Sequence, residues 1–139
     1  MSFSLTTPQM RARAKDVTRR AAWWNLTPGT LLRAVEKAMG LKAGEKVKRI
    51  GTIRVLAVRR ERLDRMIDDE AYGLEEVKRE GFEGMTPMAF VTGFCVSHRG
   101  CTPRSYVNRI AFEFVERPLT AAQMYRNREL HGHFGAGHS

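Results

Sequence analysis

Apolar and polar positions alternate most regularly from Val47 to Arg59, with Ile53, Val55 and Ala57 on one side and Thr52, Arg54 and Leu56 on the other. A period of two is the signature of a half-buried strand. The run Arg109 to Glu116 predicts a second strand, with Ile110, Phe112 and Phe114 on one face. Near the start, Phe3 to Thr7 alternates weakly and halts at Pro8, which predicts a short first strand and then one or two helical turns over Gln9 to Ala14.

Helical spacing governs the remainder. Leu31, Leu32, Val35 and Met39 lie between the turn signals Pro28-Gly29 and Ala43-Gly44, and fit either a short helix or a strand running into a loop. Leu63, Met66 and Ile67 mark a helical turn, and Tyr72, Leu74 and Val77 continue an amphipathic piece toward Glu80 that Gly81 stops. Thr86-Pro87 reads as an N-cap with proline in the first turn, so Met88 to Phe94 is expected to be helical with Phe90, Val91 and Phe94 inward. A last helix is expected from Thr120 to Leu130, followed by a Gly/His tail whose His131, His133 and His138 read as a frayed end rather than a metal site.

At 139 residues, 42% of them hydrophobic and 28% charged, the chain suits one domain, expected over residues 1–117, with the helix and a flexible tail over 118–139. No apolar run approaches the ~20 residues of a membrane span, and MSFSLTTPQM lacks the layout of a signal peptide. A cytoplasmic protein without a membrane partner is therefore expected, with Cys95 and Cys101 as thiols. The excess of 24 Lys and Arg over 15 Asp and Glu, a net charge of +9, points to a polyanionic partner such as RNA.

The most basic stretch is RARAKDVTRRAAWW, residues Arg11 to Trp24. Arg11, Arg13, Arg19 and Arg20 are candidate nucleic-acid contacts, and Trp24 a candidate stacking surface. If the segment is extended, Trp23 and Trp24 point to opposite faces, so at most one ring enters a cleft while the other is core.

The order of short motifs adds to this. Lys15, Thr18 and Arg19 in AKDVTRR are followed by Pro28-Gly29, by Gly44-Glu45-Lys46, by Arg60, Glu61 and Leu63, by Glu80-Gly81-Phe82, and by the run Arg109 to Phe114. That order, over residues 3 to 116, resembles the ASCH family, which is related to the PUA domain. The resemblance implies an α+β fold: a small PUA-like β-barrel with short helices packed around it, a charged cleft at one side, and a function on RNA or modified nucleosides. Some members hydrolyse the acetyl amide of N4-acetylcytidine, and others have been described as metal-dependent ribonucleases.

The amide-hydrolysing members use a lysine, a threonine three residues later and a glutamate from the later helical region, which correspond here to Lys15, Thr18 and Glu80. Amide hydrolysis needs a base, a donor for the oxyanion and an acid for the departing amine, and these side chains are of the right types. Glu83 is a second carboxylate three residues on, with Glu80 preferred. Family members often carry a Gly-Arg or Gly-x pair before the lysine, where this chain has Arg13-Ala14, so the turn that aims Lys15 is expected to differ.

No cofactor is expected. Cys95, His98 and Cys101 have the spacing C-x2-H-x2-C, three possible zinc ligands without an obvious fourth, so no metal is assigned. The expected function is hydrolysis of the N4-acetyl amide, with a non-catalytic RNA-binding domain or a ribonuclease as alternatives.

Overall fold

A computed structural model describes residues 1–116 and 119–130; the histidines expected in the tail lie outside them. The chain is a small α+β protein whose four antiparallel strands curl into a half-barrel flanked by short helices. In chain order these are α1 (Thr7–Arg11), β1 (Val17–Arg20), β2 (Leu31–Val35), β3 (Arg49–Arg62), α2 (Arg65–Asp68), α3 (Glu70–Arg79), α4 (Pro87–Val96), β4 (Tyr106–Val115) and α5 (Ala121–Leu130). The sheet order is β1-β4-β3-β2, which leaves β1 at one edge and β2 at the other.

Several expectations are corrected here. Phe3 to Thr7 is not a strand: Ser2 makes a single bridge to Val35, and α1 begins at Thr7 because Pro8 suits a first helical turn. Of the two options for Leu31 to Met39 the strand is adopted, since β2 completes the ladder of β3, and Met39 is exposed. Leu74 also faces outward; the buried positions of α3 are Gly73, Glu76 and Val77.

The alternation along β3 breaks at one residue. Ile53 opposes Phe114 and Val55 opposes Phe112, but Ala57 then opposes Ala111, so Leu56 is an extra, bulged residue. A one-residue slip turns every later side chain over. Ala57 leaves the face of Ile53 and Val55, Val58 joins Ile110, and Arg59 and Glu61 move to the face of Arg109 and Val107.

The sheet thus carries two cores. One face packs Phe3, Met10, Trp23, Leu32, Val55 and Phe112, and the other meets α2 to α4 through Leu63, Met66, Val77, Phe90, Val91 and Val107. Thr86 caps α4 as expected, its Oγ1 accepting from the Ala89 amide at 3.1 Å.

Helix α3 closes on its neighbours only because Gly73 lacks a side chain. A Cβ there would lie 1.9 Å from the Met66 carbonyl oxygen and 2.7 Å from Pro87 Cγ. In an open helix Gly→Ala gains about 1 kcal/mol. Here Gly73→Ala is expected to lose about 2–3 kcal/mol through overpacking, read from urea midpoints; a stabilised variant would contradict the packing described.

Candidate functional site

The turn after α1 delivers Lys15 into the interior. Its left-handed residue is Arg13, at φ 59°, rather than Ala14, and the Arg13 guanidinium settles 3.7 Å from the centre of the Phe114 ring. Beyond the turn the Asp16 amide donates to the Arg79 carbonyl at 2.9 Å, joining the start of β1 to the end of α3.

Glu80 occupies the other side of that junction, and the Glu-Gly-Phe motif has a local mechanical meaning. Glu80 is the C-cap of α3, Gly81 follows at φ 98°, the Gly81 amide donates to the Lys78 carbonyl and the Phe82 amide to the Val77 carbonyl. This is a Schellman end, with Phe82 packing into the second core. A carboxylate at a helix C-terminus opposes the helix dipole, so Glu80 requires cations beside it.

They are supplied by β1 and the turn before it. The Lys15 ammonium donates to the Glu80 carbonyl at 2.9 Å and to Glu80 Oε1 at 2.7 Å, while Arg19 Nη1 donates to Glu80 Oε2 at 3.1 Å. Lys15, Arg19 and Glu80 are each 3% exposed. Burial pulls Lys15 below the usual lysine range, with the Glu80 carboxylate only partly opposing it.

Arg19 is also held from behind. Its Nη2 donates to Glu76 Oε1 at 2.6 Å and to Glu61 Oε2 at 2.9 Å, and Arg109 grips the same Glu76 through Nε and Nη2. Tyr72 donates its hydroxyl to Glu61 at 2.8 Å. Lys15, Arg19 and Arg109 therefore balance Glu61, Glu76 and Glu80 within one buried cluster. The three carboxylates raise Arg19 above its already high value despite burial.

Glu76, Tyr72 and Arg109 join the cluster without having been expected in it from the sequence. The signal was present: Tyr72, Glu76 and Glu80 stand four residues apart and line one face of α3. Leu74, two residues from both Tyr72 and Glu76, lies on the opposite, exposed side of the helix and obscures the stripe.

Beside the cluster lies a pocket of about 260 Å³. Lys15, Thr18, Arg20 and Glu80 form its polar wall, with Arg19 behind them, and Phe82 and Phe94 belong to its apolar wall. Thr18 Oγ1 accepts from Arg20 Nε at 3.1 Å. The expected set Lys15, Thr18 and Glu80 is thus brought to one cavity, whereas Glu83 does not line it.

The candidate nucleic-acid contacts separate. Arg20 lines the pocket and Arg19 is spent on three buried carboxylates. Arg11 pairs with Glu36 at 2.6 Å, and neither it nor Arg13 reaches the pocket. Trp23 is buried at φ 66°, so the pair is not extended, and Trp24 stands half-buried against the Arg60 guanidinium, outside the pocket.

Cys95 and Cys101 are free thiols with their sulfurs 3.1 Å apart, and His98 stacks on Phe94 with Nδ1 toward the Phe94 carbonyl. Among the described residues no three such side chains are grouped to hold a metal ion, and no helix is long and apolar enough to cross a membrane.

Gly81 sets how closely α3 approaches Lys15. A Cβ there would meet Gln9 Cβ and Cγ at 2.9 Å and Lys15 Cβ at 3.4 Å. Gly81→Ala is expected to destabilise by about 2 kcal/mol, adding left-handed strain to a clash. A denaturant midpoint unchanged from wild type would mean that this junction relaxes freely. Comparison of the chain with protein-family models, curated proteins and solved structures gave no match.

Proposed function

We propose that this protein is an ASCH-type hydrolase on a PUA-like barrel, acting on modified nucleosides of RNA and cleaving the N4-acetyl amide of N4-acetylcytidine. The observation that carries this reading is the Lys15 ammonium held 2.7 Å from the Glu80 carboxylate on the wall of a pocket shared with Thr18. An ammonium has three donors. Two of those on Lys15 go to Glu80, which leaves one for an oxyanion in the cavity.

In this scheme the apolar wall takes the flat face of the pyrimidine. Thr18, its oxygen fixed by Arg20, orients the attacking water. The water oxygen bonds to the acetyl carbon as its proton passes to the Glu80 carboxylate, and the Lys15 ammonium steadies the oxyanion. The C–N bond then breaks, and the proton returns to the N4 amine. The products are cytidine and acetate.

Binding without turnover is the second reading. It is favoured by Glu80 itself, whose two oxygens are each held by a cation, an arrangement suited to a fixed structural carboxylate. Chromatography of N4-acetylcytidine incubated with purified protein separates the two. Release of cytidine by the wild type, lowered about 10- to 100-fold in Thr18→Ala at unchanged melting temperature, is the outcome expected of the hydrolase. A folded wild type that binds but releases none rules it out.

A further inference from the structure

A second cleft, about 750 Å³, opens between the N-terminal segment, β2 and α5. Its floor includes Trp23 and Leu32, Met39 lines it from the exposed side, and its charged side chains are Arg20, Arg33 and Lys37, with no carboxylate among the described lining residues. It abuts the Lys15 pocket, for Ser2, Ser4 and Arg20 line both.

Arg20 is the cation at that junction, and it differs from its neighbour Arg19. Its Nε donates to Thr18 and its guanidinium lies 4.6 Å from the centre of the Phe3 ring, yet among the described residues it forms no salt bridge and its terminal nitrogens find no acceptor. Burial works against its charge, and Glu80 only partly offsets this. A planar fork with free donors between two cavities matches a phosphate.

Resting on the nucleoside reading of the first pocket, we propose that the ligand is single-stranded RNA: the base enters the Lys15 pocket, its phosphate is bound by the terminal nitrogens of Arg20, and the adjoining nucleotide occupies the cationic second cleft. The apolar floor with surrounding cations is the combination by which single strands are held without sequence readout. It would also account for part of an excess of charge that the buried cluster, neutral in sum, leaves unexplained.

Calorimetric titration with cytidine, cytidine 5′-monophosphate and a cytidine-containing trinucleotide tests this without requiring any turnover. The monophosphate is expected to bind about 10- to 100-fold more tightly than cytidine, the yield of charge-assisted hydrogen bonds. The trinucleotide should be tighter again and should alone weaken steeply with salt. In Arg20→Gln the ratio between monophosphate and cytidine is expected to fall toward one, and Arg20→Lys, which keeps charge without the fork, to retain part of it. Arg33→Ala with Lys37→Ala should remove only the trinucleotide's extra gain, and Arg104→Gln, an exposed cation elsewhere, should change neither ratio.

Equal binding of cytidine and its monophosphate, or a ratio that survives Arg20→Gln, overturns the phosphate site. A trinucleotide no tighter than the monophosphate overturns the strand. Arg20-dependent binding without hydrolysis of any acetylated ligand would uphold this inference while removing the hydrolase. Hydrolysis of N4-acetylcytidine with no preference for phosphate would do the reverse, and no binding by any ligand would remove both.

Discussion

Glu76→Gln is expected to cost about 3–5 kcal/mol, the usual penalty for leaving buried charge without its partner. Glu76 is 2% exposed and is the acceptor for both Arg109 and Arg19. A glutamine fills the same space but presents an NH2 group to guanidinium donors, so two buried cations lose one counter-charge and at least one acceptor. Against a total stability of about 5–15 kcal/mol this is a large fraction. A fall in melting temperature on the order of 10 °C should be seen.

Adding Arg109→Met should recover part of the loss, because among the described residues Arg109 is ion-paired with Glu76 alone whereas Arg19 retains Glu61 and Glu80. Acid performs a related experiment. Burial alone would raise Glu76, but the Arg109 hydrogen bond and the charge of Arg19 outweigh it and hold the carboxyl at about 2, below the ordinary 4.5. The stabilisation is present above the ordinary value and is lost as pH falls toward about 2. It is worth on the order of 3 kcal/mol. Denaturation midpoints between pH 6 and pH 2 should fall for the wild type and vary less in Glu76→Gln; parallel curves would show that another group governs acid unfolding.

Lys15→Met is the change expected to be most harmful to activity. If the hydrolase reading holds, it removes the oxyanion donor and should lower kcat for N4-acetylcytidine by about 100- to 1000-fold. The fold should survive, because methionine fills the buried stem and Glu80 keeps Arg19. Circular dichroism should therefore be unchanged while turnover collapses. Loss of the folded signal itself would mark Lys15 as chiefly a cap for α3.

The pH profile adds a readout that a structural lysine would not give. Burial lowers the Lys15 value in the folded chain, while the unfolded chain keeps its proton up to the ordinary 10.5. Between those two values the unfolded state binds more protons, so this lysine's contribution to stability rises with pH. Turnover that needs the ammonium falls over the same window. Activity declining while the protein becomes harder to unfold is the expected signature; both falling together would place the loss in unfolding.

Much of the architecture was legible from local chemistry. The two long strands follow from alternation, the start of α4 from Thr86-Pro87, and its inward stripe from Phe90, Val91 and Phe94. Phe3 to Thr7 and Leu31 to Val35 were less legible because short segments become strands according to which edge is open to them, a property of the assembled sheet.

The site divides in the same way. Lys15, Thr18 and Glu80 are singled out by a resemblance in motif order and not by their types, which are common in any chain; that the three line one pocket is a property of the assembled fold. Only the tertiary structure separates Arg19 from Arg20, adjacent in sequence and identical in chemistry. Successive strand residues point to opposite faces, so Arg19 meets three glutamates, two of them from α3 and its C-cap, while Arg20 is left between two clefts. The bulge at Leu56 is the other such decision, turning Glu61 toward the buried cluster. Local sequence determined which segments alternate and where helices start; the pairing of distant strands decided which charges are buried together, because ion pairing depends on distance in space and not along the chain.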